Sequence, residues 1–142
     1  NTPHYRYRVG ISYGEFYHNK SKNIYVGKAL VEASELEKIQ QWSGASLTNK
    51  AAEKIVSPES SVLVDYNVPL KNSEKRKYKV INWTQANHHP TLEKQNWMYR
   101  EENGNKVNTY SDSDVEQKIL NTEQFHFDKC SKCRNARKNM MS

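Results

Sequence analysis

A group of possible metal ligands stands near the C-terminus, in the segment HFDKCSKC. It contains His126, Cys130 and Cys133, and a C-x-x-C pair with a nearby histidine can bind zinc. A closed structural site needs four ligands, and His88 or His89, in a distant loop, could supply the fourth only by a long reach. The simpler interpretation is two free thiols in a frayed basic tail, because the strand–helix context of a redox C-x-x-C motif is missing.

The excess of basic residues points to an anionic partner. The 142 residues include 22 Lys and Arg against 16 Asp and Glu, which gives a formal net charge of +6. Such a charge favours nucleotides, nucleic acid or an acidic protein as partners, or simply keeps a protein in solution. The basic turn KNSEKRK (71–77) has no aromatic RNA-binding signature beside it, so a nucleic-acid partner is not expected.

The apolar residues are too few and too scattered for a membrane span. They make up 35% of the chain, below the usual share of about 45–50%, and no run of about 18 of them occurs. No signal-peptide pattern is visible, and two closely spaced cysteines do not form a disulfide framework. We therefore expect a cytoplasmic protein that makes no membrane contact.

Hydrophobic periodicity predicts an α+β fold in the first part of the chain. Residues 5–17 alternate bulky and polar side chains, which predicts a strand. Residues 28–42 carry apolar side chains three and four positions apart, which predicts a helix that packs on the sheet. Residues 43–47 predict a turn and a short strand, and residues 48–56 a second helix with Thr48 as its N-cap.

The remaining segments predict less regular structure. Residues 17–23 are polar and predict a loop. VLVDYNVPL and RKYKVINW predict a β-hairpin within residues 57–83, as an extension of the same domain. Residues 84–110 predict a loop. Residues 111–142 predict a C-terminal helix, over 111–125 with Ser111 or Asp112 as its cap, and then a basic tail.

The first of these elements resemble the second half of a class III nucleotide cyclase domain. The resemblance is carried by YRVGISYGEF…IYVGKALVEASELEK…WSGASL, which has the order of strand, loop, glycine, helix and short strand of that family. It covers residues 6 to 47 and extends to about Trp83 through YNVPLKNSEKRKYKVINW. These segments are most similar to a bacterial branch that includes the pyrimidine cyclases of the Pycsar anti-phage systems.

The resemblance implies a fold that residues 1–142 only partly contain. It implies the C-terminal part of a class III cyclase-like (ferredoxin- or palm-like) mixed sheet with packed helices, in which residues 1–56 form the C-terminal half of the domain. In that fold the strand RVGISYGEF is interior, and the earlier strands carry two metal-binding aspartates. We therefore expect the chain to be part of a longer or split protein, with the ligands for Mn²⁺ or Mg²⁺ upstream of Asn1.

The resemblance also implies an activity and a set of site residues. The reaction would form a 3′,5′-cyclic nucleotide, cCMP or cUMP, from a nucleoside triphosphate with release of pyrophosphate, in anti-phage signalling by a homodimer. Arg8 and Glu15 are the catalytic candidates, Arg8 at a phosphate and Glu15 at a metal ion or hydroxyl. Lys28, Glu32 and Glu35 are the substrate-binding candidates, Lys28 at a phosphate and one of the glutamates at the base or ribose across the dimer interface. The alternative for the glutamates is an ion pair with Lys28 or Lys38 on the same helix.

Three positions depart from the better-known cyclases. Val31 stands where that family has an Asn, Glu35 where it has an Arg, and Ile24 where it has a base-selecting Asp. The purine-recognition and transition-state residues therefore do not transfer to this chain. A divergent cyclase, a cyclase completed by an absent half, an inactive binding or regulatory module, and a basic nucleic-acid-binding domain all stay open.

Overall fold

The computed structural model describes residues 7–55, 62–85, 99–108, 113–131 and 135. The chain divides into two compact units, Asn1–Asn82 and Trp83–Ser142, and each is described by itself. The catalytic and substrate-binding candidates from the sequence fall in the first unit, and the possible zinc ligands fall in the second.

A four-stranded mixed sheet and two helices form the first unit. In chain order, its elements are β1 (Val9–Ile11), β2 (Tyr17–Asn19), β3 (Ile24–Val26), α1 (Lys28–Ile39), β4 (Ala45–Leu47), α2 (Asn49–Lys54), β5 (Leu63–Pro69) and β6 (Lys75–Ile81). The sheet has the order β1–β4–β6–β5, with β1 parallel to β4 and the other pairs antiparallel. The predicted α+β class, with a mixed sheet and packed helices, is confirmed.

The first predicted strand is shorter than its alternating pattern suggested. Within the described part of residues 5–17, β1 ends at Ile11 and the next strand begins at Tyr17. The prediction of a loop over 17–23 was wrong, because β2 and β3 pair as an antiparallel hairpin. Its turn is held by the Asn19 side chain, whose Oδ1 accepts from the Lys22 amide and the Ser21 hydroxyl, and by Asn23 in a left-handed conformation (φ 51°).

Helix α1 ends three residues before the predicted boundary. Gln40 is extended (φ −73°, ψ 143°) and forms a β-bridge with Leu70, and the Gln41 amide donates to the Pro69 carbonyl at 2.9 Å. The tertiary contact with the end of β5 therefore stops the helix where the sequence shows neither Gly nor Pro. Of the predicted apolar stripe, Leu36 is buried and Ala29 and Ala33 are half-buried, whereas Ile39 at the end of the helix is exposed.

Replacing Leu36 with alanine should destabilise the first unit by about 2–5 kcal/mol, the usual cost of truncating a buried leucine. Chemical denaturation followed by circular dichroism would measure the loss. The exposed Leu30 on the same helix supplies the control, since Leu30→Ala should change the free energy of unfolding by less than about 1 kcal/mol. Equal losses for the two variants would contradict the assignment of the buried face.

The second helix and the hairpin follow their predictions. Thr48 caps α2, and its hydroxyl accepts from the Ala51 amide at 3.3 Å. Strands β5 and β6 pair from Leu63 with Ile81 to Pro69 with Lys75.

The second unit contains a hairpin and a long helix. A 3₁₀ turn (Trp83–Gln85), β7 (Tyr99–Glu102), β8 (Asn105–Asn108) and α3 (Ser113–Lys129) are described. The hairpin lies inside residues 84–110, where a loop was predicted. Both turn residues, Asn103 (φ 52°) and Gly104 (φ 78°), are left-handed. That pair of conformations is the one that an Asn-Gly hairpin turn requires.

Helix α3 buries the face that the sequence indicated and extends beyond it. Ile119 and Thr122 are buried, as is Phe125. The helix continues to Lys129, and the next residue, Cys130, is buried. The prediction of a frayed tail was therefore wrong for the first residues of that tail. The other calls here, the caps Ser111 and Asp112 and the ligands His88, His89 and Cys133, lie outside the described residues.

Candidate functional site

Helix α1 lies directly on β1 because position 10 has no side chain. A Cβ atom at Gly10 would lie 2.1 Å from the carbonyl oxygen of Ala33 and 2.8 Å from the amide nitrogen of Glu37. Two residues on, the Ser12 hydroxyl donates to the carbonyl of Ala29. The strand and the helix therefore hold the candidate residues on either side of them in fixed relative positions.

Gln40 ties this strand and helix to β4. Its side chain is fully buried, and Nε2 donates to the carbonyls of Val9 (3.1 Å) and Leu36 (2.9 Å). Its Oε1 accepts from Trp42 Nε1 (2.8 Å) and Ser46 Oγ (2.6 Å). An amide group has two donor hydrogens and two acceptor lone pairs, so the hydrogen-bonding capacity of Gln40 is fully used.

Arg8 points to the C-terminal half of α1. Its Nε lies 2.5 Å from Glu37 Oε1, and its Nη1 donates to the carbonyl of Gln40 at 3.2 Å. The two side chains are 23% and 33% exposed. In the described structure Arg8 thus links the start of β1 to α1.

The other candidates lie around the first turns of α1. The backbone of Glu15 packs against Gly27, where a Cβ would lie 2.5 Å from the Glu15 carbonyl oxygen. Lys28 Nζ lies 3.7 Å from Glu32 Oε1, and the lysine side chain is 79% exposed. Glu35 is exposed and makes no ion pair with any described residue.

The structure therefore divides the five candidates into two places. The backbone of Glu15 lies next to the helix start that carries Lys28 and Glu32, and Glu35 follows one turn later. Arg8 binds at Glu37, nine residues after Lys28, which is about 13 Å along a helix axis. Sequence reasoning missed Glu37 and Gln40 as the partners of Arg8, since no local pattern marks them.

An open cleft lies between the end of β1 and the first turns of α1. Its volume is about 390 Å³. Small residues form much of its wall, with two aromatic side chains beside them. The lining residues are Gly10, Ile11, Ser12, Tyr13, Gly14, Phe16, Ala29, Leu30 and Ala33. The sequence signal that could have found the cleft is this set of Gly and Ala residues on facing elements.

The two edges of the four-stranded sheet differ in chemistry. The β5 edge carries Asp65, Asn67 and Pro69, residue types that discourage pairing with a further strand. The β1 edge is Val-Gly-Ile with Val9 38% exposed. No strand among the described residues pairs with the outer side of β1. An apolar edge of this kind is normally covered in natural sheets.

The basic hairpin neutralises part of its own charge. Lys79 Nζ lies 3.1 Å and Lys77 Nζ 3.7 Å from the carboxylate of Asp65. The hydrogen bond from Lys79, assisted by the positive charge of both lysines, lowers the pKa of Asp65 below the usual aspartate range. The stabilisation by the ionised carboxylate is therefore present above the ordinary aspartate pKa and is lost as the pH falls through the lowered value.

The described residues do not offer a metal site. Across the described ranges, no three His, Cys, Asp or Glu side chains come close enough to bind one ion. This part of the chain therefore supplies no ligand set for the Mn²⁺ or Mg²⁺ that the cyclase resemblance implies.

Comparison with known protein families, with characterised proteins and with solved structures finds no match. Among the described helices, none combines the length and the apolarity needed to cross a lipid bilayer.

Proposed function

We propose that the chain is the C-terminal part of a class III-type nucleotide cyclase, which forms cCMP or cUMP from a nucleoside triphosphate in anti-phage signalling. The observation that supports this proposal is the parallel pairing of β1 with β4 around α1, with an apolar outer edge on β1 that no described strand pairs with. A strand added to that side would bring new side chains next to the cleft. The cyclase resemblance gives those side chains the role of binding Mn²⁺ or Mg²⁺.

The residues of this chain would act on the substrate from the helix side. Lys28 is free to turn towards a phosphate, because an exposed ion pair at 3.7 Å stabilises its present position by about 1 kcal/mol or less. Glu15 lies beside the same helix start, with Glu32 and Glu35 on the following turns. We expect the enzyme to be a cytoplasmic homodimer in which both chains contribute to each site.

The direct test is to incubate the full-length protein with each of the four nucleoside triphosphates and Mn²⁺, and to separate the products by chromatography. A cyclic pyrimidine nucleotide and pyrophosphate in equal amounts are the expected products. If the protein is folded and none of the four triphosphates gives a cyclic product, the proposed activity is wrong. Intact-mass analysis of the natural protein is the companion measurement, since a mature species of only 16.6 kDa would refute the missing segment.

Arg8→Ala should lower turnover by about 100-fold, the usual cost of losing one group that stabilises transition-state charge. The same change should cost about 1 kcal/mol of stability, because the ion pair with Glu37 is partly exposed. Glu37→Gln is the matched control, since it weakens the pair but keeps the guanidinium group. If the two variants lose kcat equally, Arg8 affects turnover only through its contact with Glu37 and has no role at the substrate.

A second candidate is a cyclase-like module that binds nucleotides without turning them over. Two observations favour it: Arg8 is already bound to Glu37, and Glu35 replaces the transition-state arginine of better-known cyclases. Nucleotide binding measured by calorimetry, without product formation by the full-length protein, would distinguish this module from the enzyme. Strong, salt-sensitive binding to DNA or RNA would instead favour a nucleic-acid-binding domain.

A further inference from the structure

A row of aromatic rings leads from the cleft to the β2–β3 hairpin. Tyr13 and Phe16 both line the cleft, and the Phe16 ring lies 6.1 Å from the ring of Tyr25. His18, the cross-strand partner of Tyr25, stacks on that ring with centroids 4.2 Å apart and planes 12° apart. Tyr13, Phe16, Tyr25 and His18 thus form one aromatic row.

The rings of the aromatic row are accessible and held in place. Tyr13, Phe16 and Tyr25 are 49–54% exposed, although aromatic side chains usually bury most of their surface. The stacking of His18 on Tyr25 and the turn contacts of Asn19 order the hairpin in advance. A surface that is ordered before it binds loses less conformational entropy when it does.

Lysines stand at both ends of the aromatic row. At one end, Lys54 Nζ lies 5.5 Å from the centre of the Tyr13 ring, within the range of a cation–π contact. At the other end, the hairpin turn carries Lys20 and Lys22, both exposed. Lys28, which is 79% exposed, begins the helix that follows the hairpin. A ligand on the rings would therefore have cations on either side of it.

The acidic residues nearby offset only part of this charge. Residues 13–28 and α2 together contain five lysines and two glutamates: Lys20, Lys22, Lys28, Lys50, Lys54, Glu15 and Glu53. Glu32 lies 3.7 Å from Lys28 and offsets one more of the positive charges. The charges farther along α1 offset one another or are paired with Arg8: Glu35, Glu37 and Lys38. The surface around the row keeps a positive excess.

We propose that the aromatic row binds a single-stranded nucleic acid, whose bases stack on the rings and whose phosphates lie against the flanking lysines. Such stacking accepts every base, because every base has a π-face. The basic turn 71–77 lacks rings of this kind, whereas the structure brings four of them together on a different hairpin. The inference goes beyond the proposed cyclase function and does not depend on it.

Fluorescence anisotropy with labelled oligonucleotides of about 12 nucleotides tests the stacking. One probe is oligodeoxythymidine and the other oligouridine, so that tighter binding of one assigns DNA or RNA as the ligand. Tyr25→Ala and Phe16→Ala should each weaken binding by about 10-fold, whereas Tyr25→Phe keeps the ring and should bind like the parent chain. Tyr17→Ala is the matched control, because Tyr17 is 61% exposed on the opposite face of the same hairpin.

The salt dependence of binding tests the part played by the lysines. If about three lysines neutralise phosphates, the logarithm of the binding constant should fall with the logarithm of the salt concentration with a slope of about −2. Lys54→Gln should make this slope shallower by about 0.7. Lys75→Gln, at an exposed position of β6, is the matched control and should leave the slope unchanged. A domain that binds through phosphates alone would give a slope of about −4 or steeper.

Circular dichroism would confirm that each variant is folded. Absence of binding to both probes would overturn the proposal, as would equal weakening by Tyr17→Ala and Tyr25→Ala, or a steep slope in a complex that tolerates the loss of the rings. Oligonucleotide binding without cyclase activity would leave this inference intact and count only against the proposed function. Cyclase activity without oligonucleotide binding would do the reverse.

Discussion

Replacing Gly10 with alanine is expected to destabilise the first unit by about 3 kcal/mol or more. A methyl group at this position would lie 2.1 Å from the Ala33 carbonyl oxygen and 2.8 Å from the Glu37 amide nitrogen. Both atoms belong to the backbone of α1, so no side chain can rotate to relieve the overlap. The helix would have to move off β1, and overpacking that shifts backbone reaches or exceeds the upper end of the usual 1–3 kcal/mol.

Gly14→Ala is the matched control for this prediction. A Cβ at Gly14 would meet only the Cβ of Ala29, at 3.3 Å, so the expected change in the free energy of unfolding is less than about 1 kcal/mol. Urea denaturation of both variants, monitored by tryptophan fluorescence and circular dichroism, gives the comparison. Similar stabilities for the two variants would mean that α1 does not lie on β1 as described.

The second large effect is expected at Gln40. Gln40→Met keeps most of the side-chain volume but removes two donors and two acceptor positions from a fully buried site. The carbonyl of Val9, the indole of Trp42 and the hydroxyl of Ser46 would each lose a partner. Since leaving a buried donor or acceptor without its partner costs about 1–3 kcal/mol, we expect a total loss of about 3 kcal/mol or more.

Two further variants separate the network from simple packing. Ser46→Ala removes one donor and should cost about 1 kcal/mol, and its effect should shrink in the Gln40→Met background, because the acceptor is already gone. Gln40→Glu places a buried carboxylate against two carbonyls, which raises the pKa of that carboxylate in the folded state. This variant should therefore lose stability as the pH rises above about 4. Strict additivity, together with a pH-independent Gln40→Glu variant, would contradict the network.

The sequence predicted the elements better than their ends. The Thr48 cap, the burial of Leu36 on α1 and the β5–β6 hairpin follow from local chemistry, and the structure contains all three. The end of α1 depends on the bridge between Gln40 and Leu70, a contact between distant segments that no local pattern encodes. The same is true of Gln40 itself, which looks like one more solvated polar residue in a helical run but is fully buried.

The candidate site shows the same difference between features that follow from local spacing and features that depend on contacts between distant segments. Local spacing placed Lys28 and Glu32 one helical turn apart, and they form an ion pair. The backbone contact between Glu15 and Gly27 and the pairing of Arg8 with Glu37 depend on how β1 docks on α1. Residues 84–110 contain a local signal for a hairpin, which the prediction of a loop did not take into account. The Asn103–Gly104 pair marks a hairpin turn, and its left-handed conformations are there in the structure.

The pairing of β1 with β4 has a consequence for how the first unit folds. Val9 pairs with Ala45, and β2, β3 and all of α1 lie between them in the chain. Closing so long a loop costs entropy before any ladder bond compensates for it, whereas β5 and β6 are joined by a short turn and can form early. We therefore expect β1 to join the sheet late and to open first in the native state, which makes its attachment the step most sensitive to whatever pairs with its outer side.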